Sequence, residues 1–348
     1  MLRAIRFAAL LLLPLPAAAA PVFADSAHFS IVQVTSGVYA VLGKNGPNNN
    51  AAFIVNDDDV VVIDTHTRPS WAREVIGEIK KVTDKPVRYV INTHWHEDHV
   101  QGNQAYVDAF GPGVTVIQQD LTREDMLANL PDGLVQAKMT ATPRDIARME
   151  KLLSDGKDAE GKPLTDKTRL DLQRQLDSRK AYLAEIPEIH LIPGNVTFDR
   201  SLTLHESGRD IELHYYGYAH TRGDAIVYLP KDKVVITGDV LETQVPMMSS
   251  AYPVKWIGAL TALQQLDWNY AIPGHGGVQQ GKQTLAQFTA YLTDLVAAVK
   301  QACVKGMTQE QVMKSVDLRK YEQMSHFADR NPDAIERTYL EVTGKVPD

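Results

Sequence analysis

The sequence predicts an α/β chain built from two βα halves that pack sheet to sheet, with helices on the outer faces. Short apolar runs rich in Val and Ile alternate with longer stretches of helical period. The same strand-then-helix order occurs twice, before residue 122 and after residue 188, without any repeat of sequence. The residues best suited to hold a metal fall at the ends of apolar runs in both halves, so both sheets are expected to open onto one shared groove.

Taken in order, residues 1–24 read as a secretory signal peptide. Arg3 and Arg6 give a cationic start, residues 7–15 an apolar centre, and residues 17–20 a run of alanine before cleavage after Ala20 or Ala24. The apolar run is too short to span a bilayer comfortably. The expectation is a periplasmic or secreted protein with no integral membrane segment after cleavage. Residues 25–348 form the remaining domain. Strands are expected at 31–42, 51–55 and 60–63, separated by polar turns at 43–50 and 56–59. A helix at 70–82 carries Trp71, Val75, Ile76, Ile79 and Val82 at helical spacing, and 87–91 is a strand.

A charged helical insertion is expected at about 122–188, between the halves. Thr142-Pro143 reads as a cap and first-turn proline, and Thr165 opens a second helix. The second half offers strands at 196–204, 211–215, 225–228 and 234–237, and helices at 254–266 and 284–305. Helices at 308–316 and 331–342 follow, the latter opened by Asn331-Pro332.

The chain has 348 residues, 44% hydrophobic and 23% charged, which are ordinary globular values. Its net charge of −7 argues against a nucleic-acid partner. Cys303 is the only cysteine, so an exported form has no internal disulfide, and its neighbours Leu292, Leu295, Val296 and Val299 mark it as a packing residue.

Of the 11 histidines, three fall in the run Asn92-Thr-His-Trp-His-Glu-Asp-His-Val-Gln-Gly-Asn103. In an extended continuation of the 87–91 strand, His94, His96 and Asp98 face one point, and His99 faces a second nearby. Imidazoles and a carboxylate aimed at two adjacent positions suit a pair of zinc-like ions. His220, Asp239 and His275 follow in glycine-flanked loops after apolar runs, where glycine permits close approach of the backbone.

This ordered set resembles the metallo-β-lactamase-fold hydrolases, over about residues 32–300. The resemblance implies an αββα sandwich with a dinuclear centre. His94, His96 and His220 would hold the first ion, Asp98, His99 and His275 the second, and Asp239 would bridge them. Two Zn²⁺ per chain are implied, with iron or manganese as alternatives, and Asp98 would also act catalytically by orienting a metal-bridging hydroxide. Asp64 matches an early aspartate that braces the His loop. The implied activity is hydrolysis of a small ester, lactone, thioester or β-lactam-type substrate. Two alternatives stay open: a persulfide dioxygenase-like enzyme with one iron at His94, His220 and Asp239, or a non-catalytic periplasmic partner of a quinoprotein or sulfur-oxidation system. Tyr218 and Thr65-His66 depart from the residues usual at their positions, so the resemblance implies a reaction class and not a substrate.

Around this set, His66 is either a hydrogen-bond partner of a ligand or a surface residue, and His214 is structural. Glu97 is expected to point away from the metals, and Asp224 to satisfy backbone donors. Candidate pocket walls are residues 45–50, Trp95, Met247, Met248, Tyr252 and Trp256, with a core role as the default for Met247 and Trp256.

Overall fold

The computed structural model describes residues 22–44, 49–130, 132–158 and 161–346. The expected leader as far as residue 21 lies outside these residues, as do residues 45–48 of the expected pocket wall. Eight strands form the first sheet in chain order: β1 (Val22–Asp25), β2 (Phe29–Thr35), β3 (Val38–Gly43), β4 (Ala51–Val55), β5 (Val60–Ile63), β6 (Val87–Ile91), β7 (Thr115–Gln119) and β8 (Val196–Phe198). Pairing is antiparallel from β1 to β5 and parallel from β5 to β8. Parallel neighbours need crossovers, and helices supply them. α1 (Pro69–Val82) joins β5 to β6. α2 (Glu97–Val100) and α3 (Asn103–Phe110) join β6 to β7, and α4 (Asp120–Asn129), α5 (Asp132–Asp155) and α6 (Asp166–Glu185) join β7 to β8.

The second sheet contains β9 (Ser201–Glu206), β10 (Arg209–Tyr215), β11 (Ala225–Leu229), β12 (Val234–Gly238), β13 (Tyr270–Pro273) and β14 (Gln279–Gln280), again in chain order across the sheet. Its one parallel pair, β12 with β13, is connected by α7 (Pro253–Gln265). α8 (Gln283–Val304), α9 (Gln309–Ser315) and α10 (Phe327–Val342) complete the described chain.

Period-two alternation explains how two sheets and two helical layers stack. Val38, Ala40, Ala52, Ile54, Val61 and Ile63 point from the first sheet towards Ile211, Leu213, Val227 and Ile236 of the second. The alternate residues Tyr39, Val41, Phe53, Val60 and Val62 point the other way, onto Trp71, Val75 and Ile79 of α1 and Tyr106 of α3. On the far side, Tyr228, Val235 and Ala271 meet Trp256, Leu260, Phe288 and Leu292 of α7 and α8. Both faces of the central strands are buried, so their sequences read as nearly continuous apolar runs. Cys303 packs at the margin of the α7–α8 cluster. The αββα sandwich expected from the sequence is the fold observed.

Several local expectations change. The expected strand at 31–42 is a hairpin that turns at Gly37, whose φ of +75° and contact with the Val55 carbonyl (2.8 Å from any Cβ) exclude a side chain. The expected strand at 196–204 is two strands in different sheets, and the chain passes between layers at Asp199-Arg200. The helical insertion therefore lies within the first sheet, as the crossover from β7 to β8, one strand earlier than the sequence placed it. It begins with α4, whose first turn is capped by the Gln119 side chain accepting from Leu121 and Thr122.

Thr142-Pro143 and Asn331-Pro332 do not open helices; each proline lies inside one. Tertiary contacts override both local signals. Ile146 and Met149 of α5 are committed to Leu176 of α6, and Asn331 accepts from the Tyr291 hydroxyl at 3.1 Å. Thr165 and Thr308 cap their helices as expected, the second in a reciprocal capping box with Gln311.

Ile63 is fully buried between the sheets, one residue before the rim. Ile63→Ala is expected to cost about 2–5 kcal/mol in denaturant unfolding, and Ile63→Val only about 0.5–1.5 kcal/mol.

Candidate metal centre

The strand ends of both sheets meet at one rim. Asp64 follows β5, the His94–His99 segment follows β6, the His220 loop joins β10 to β11, Asp239 follows β12 and His275 follows β13. The histidine segment is held by a buried carboxylate. Asp64 Oδ1 accepts from the Thr93 backbone N–H at 2.8 Å, and Oδ2 accepts from Thr93 Oγ1 at 2.8 Å and lies 2.7 Å from His99 Nδ1. Asn92 Nδ2 donates to the His99 carbonyl and to Asn103 Oδ1, both at 3.0 Å. Gly102 stands where any Cβ would collide with the Thr65 carbonyl.

These contacts set which ring nitrogens face the centre. The Thr93 hydroxyl donates to Asp64, so it accepts from His94 Nδ1 at 3.1 Å and leaves Nε2 for the cluster. His99 Nδ1 is engaged by Asp64, which also leaves Nε2. His96 is turned over: its Nε2 meets Ser250 Oγ at 2.7 Å and its Nδ1 faces inward.

All seven sequence-predicted residues come together, in two groups whose facing atoms lie within 4.8 Å of one another. In the first, His96 Nδ1 is 3.1 Å from both His94 Nε2 and His220 Nε2, and Asp239 Oδ2 is 3.3 Å from His220 Nε2 and 3.7 Å from His94 Nε2. In the second, Asp98 Oδ2 is 3.6 Å from both His99 Nε2 and His275 Nε2. Asp239 faces this group too, with Oδ1 3.5 Å from His99 Nε2 and Oδ2 3.3 Å from His275 Nε2.

The donor set fits metal ions. Nitrogens bound at about 2.0–2.1 Å to a tetrahedral zinc would lie roughly 3.3 Å apart, close to the spacing seen. His99 Nε2 and Asp239 Oδ1 are buried with no hydrogen-bond partner. Such orphaned groups cost about 1–3 kcal/mol each unless something satisfies them, and a cation between the two does so. Any Cβ on Gly274 would collide with Asp239 Oδ1, so glycine is required beside this carboxylate.

Electrostatics divide the groups. Burial, reinforced by neighbouring imidazoles, holds His94 well below its ordinary value and His220 at about 3, so both are neutral bases. Burial opposes the charged form of His99, but Asp98, Asp64 and Asp239 outweigh it and lift the ring to about 9. His275 is likewise raised against burial, chiefly by Asp239.

The grouping of Asp98 settles between two sequence arguments. Strand alternation would join it to His94 and His96, whereas the family resemblance joined it to His99 and His275. The structure has the second arrangement, because the extended segment ends at His96, which caps α2 with φ −61° and ψ 147°.

Glu97 turns to pair with Lys138 of α5. His66 is neither a surface residue nor a direct partner of a ligand side chain. It is fully buried against Phe29, with its ring held at about 3 by burial, and lies 3.1 Å from Asn49 Oδ1; Asn49 in turn donates to the Asp98 carbonyl. His214 pairs with Glu212 at 2.9 Å and stacks on Tyr216, outside the centre. Asp224 Oδ2 accepts from the Thr221 backbone at 2.7 Å as expected.

A cavity of about 290 Å³ opens over the two groups. Trp95 and Met247 line it, and Met247 is 63% exposed rather than part of the core. Met248, Tyr252 and Trp256 are buried in the core instead. Sequence reasoning missed Glu242, Gln244 and Arg330 on this wall. Glu242 had a legible signal, a second acid three residues beyond Asp239 at the end of the apolar strand 234–237. Arg330 had none, because only the docking of α10 brings it to the rim. Burial and then Asp239 raise the Glu242 carboxyl well above its ordinary value, and Oε2 has no partner.

Comparison with known proteins adds four likenesses. The family model of the metallo-beta-lactamase superfamily matches residues 45–275. The linear primary-alkylsulfatase of Pseudomonas sp. (strain ATCC 19151) is 24% identical over 275 residues, 75% of this chain and 48% of that protein. Among solved structures, the stereoselective inverting sec-alkylsulfatase Pisa1 from Pseudomonas sp. superposes with a TM-score of 0.62 at 18% identity, covering 89% of this chain and 49% of that one. A metallo-beta-lactamase from Pontibacter korlensis gives 0.52 at 20% identity, over 76% and 99%. The chain spans about half the length of the alkylsulfatases it matches.

Two outcomes are expected. Zinc needs a bare Nε2 on His99, which carries a proton below about pH 9 in the metal-free protein. Loading near neutral pH should therefore release protons into weakly buffered solution, and affinity should rise with pH until that proton is already lost. Asp64→Asn is expected to weaken binding of one metal equivalent by about 10–100-fold in chelator competition, since His99 loses its anionic anchor.

Proposed function

The chain belongs to the metallo-beta-lactamase superfamily, and from that premise we propose that it is a dinuclear zinc hydrolase of small ester-type substrates. The observation that carries this reading is the pair of adjacent ligand groups with Asp239 facing both. His94, His96 and His220 would hold one ion, Asp98, His99 and His275 the other, and Asp239 would bridge; iron or manganese would suit the same nitrogen and oxygen donors. When bound, two such ions supply a water acidic enough to attack at neutral pH and polarise the scissile bond.

The chain's own residues prepare the rest. Asp98, with an oxygen turned to the cavity, accepts a hydrogen bond from the attacking water and orients it. Glu242, whose carboxyl burial raises well above its ordinary value in the metal-free protein, forms part of the cavity wall beside Asp239. Arg330 places a cation on the wall, and Trp95 and Met247 give an apolar approach. A space of about 290 Å³ is at the small end for ligand sites, so it fits a small molecule or the reactive end of a longer one. Among esters, a sulfate ester is favoured by Arg330 and by the likeness to alkylsulfatases; lactone, thioester and β-lactam bonds suit the same centre. The complete second group supports two ions over a single iron at His94, His220 and Asp239.

We also propose export through the leader at the start of the chain. Val22–Asp25 pairs with β2, which favours cleavage after Ala20 over Ala24. Among the described residues no helix is long and apolar enough to cross a membrane.

Asp98→Ala is expected to bind one zinc instead of two and to lose about a thousandfold or more in kcat/KM, with the circular dichroism of the fold retained. The assay pairs metal analysis with a panel of sulfate esters, carboxylic esters, lactones and nitrocefin. One ion per fully active chain, or full turnover by Asp98→Ala, refutes the dinuclear reading. Arg330→Ala is expected to raise KM for anionic substrates by about tenfold while leaving neutral esters nearly unaffected.

A further inference from the structure

We propose that Asn49 and Asn50 are positioning residues that set the spacing of Asp98 and His275, and through it the affinity of the second metal position; the inference rests on the dinuclear reading above. Asp98 and His275 come from different sheets, one from α2 behind β6 and the other from the end of β13. Their facing atoms nevertheless stand 3.6 Å apart. The two asparagines, consecutive and buried just before β4, reach both.

Asn49 holds the Asp98 side. Continued as a helix, α2 would have the Asp98 carbonyl accept from the Gly102 N–H, but that N–H donates to the His66 carbonyl at 3.1 Å. The Asp98 carbonyl accepts from Asn49 Nδ2 instead. Because Nδ2 is the donor, Oδ1 is an acceptor, and it lies 3.1 Å from His66 Nδ1. The His66 ring packs on Phe29 at 4.4 Å and cannot swing away, so the amide is held in one orientation.

Asn50 holds the other side. Its Nδ2 donates to the Pro273 carbonyl at 2.8 Å and the Gly276 carbonyl at 2.7 Å, on either side of His275, and its backbone N–H donates to the Gly274 carbonyl at 2.6 Å. Asn49 also forms an antiparallel β-bridge with His275 itself. Neither asparagine lines the cavity over the centre, so both act through the ligands and not on a substrate. The described contacts of His94, His96 and His220 include neither residue. The clamp is therefore specific to one of the two ligand groups.

The test is competition of the full chain against a chromophoric chelator for each of two zinc equivalents, with the absorption spectrum of the cobalt(II)-loaded chain as a second readout. Asn49→Ala and Asn50→Ala are each expected to weaken one equivalent by about 10–100-fold, the one that Asp98→Ala abolishes, and to leave the other within about twofold. The cobalt bands of that equivalent alone should shift. Should either alanine variant fail to fold by circular dichroism, Asn49→Ser is the milder truncation and should weaken the same equivalent. Two equivalents bound as tightly as in the unaltered chain, or both weakened alike, overturn the clamp while leaving the dinuclear reading intact. An unaltered chain that takes up one ion overturns that reading and the clamp with it.

Discussion

Asp64 is the point from which the rim is organised. Its carboxylate is buried, sits on a residue with φ of +60°, and gathers Thr93 and His99. Through Thr93 it also decides which nitrogen His94 presents. An uncompensated buried carboxylate would be expensive, so its three contacts are conditions for its presence and not additions to it. One anion thus sets the orientation of two rings, one from each ligand group, before any ion arrives.

The same logic runs outward to charge balance. Asp64, Asp98, Asp224, Asp239 and Glu242 crowd the strand ends, and all but Asp98 are nearly inaccessible to water. Burial raises the Glu242 carboxyl well above its ordinary value and pushes Asp224 up to about 7. Asp98 and Asp239 instead stay ionised beside His99 and His275. Two divalent ions would replace those ring protons and leave the floor positive, which would draw in the anionic substrate proposed above.

The helical hairpin departs from this economy of the core. α5 and α6 pack on each other through Ile146, Met149 and Leu176, and reach the rest through Tyr182 and Ile186 and through polar links. Two of those links end on α2, the short helix that carries Asp98 and His99: Glu97 to Lys138, and Gln101 Oε1 accepting from the Tyr182 hydroxyl at 3.1 Å. The hairpin is therefore joined to the metal centre by these polar contacts and, through Leu191, by apolar packing of Tyr182 and Ile186 towards Val100 and Trp95.

Much was legible without coordinates. Short Val- and Ile-rich runs announced two-sided burial, helical periods marked α1, α7 and α8, and the spacing of His94, His96 and His99 marked the rim, because each depends on residues near in sequence. Where the chain switches layers was not legible, since Phe198 and Ser201 are equally good strand residues and only sheet partners distinguish them. The proline-containing helices misled for the same reason: a cap is a local preference of about 1 kcal/mol, and packing exceeds it. Composition and pattern by themselves determined the four-layer class and the identity of the seven converging side chains. Only tertiary structure decided which of them share a point, how Asp98 is grouped, and that Arg330 and Glu242 stand beside them, because those are distances across elements far apart in the chain.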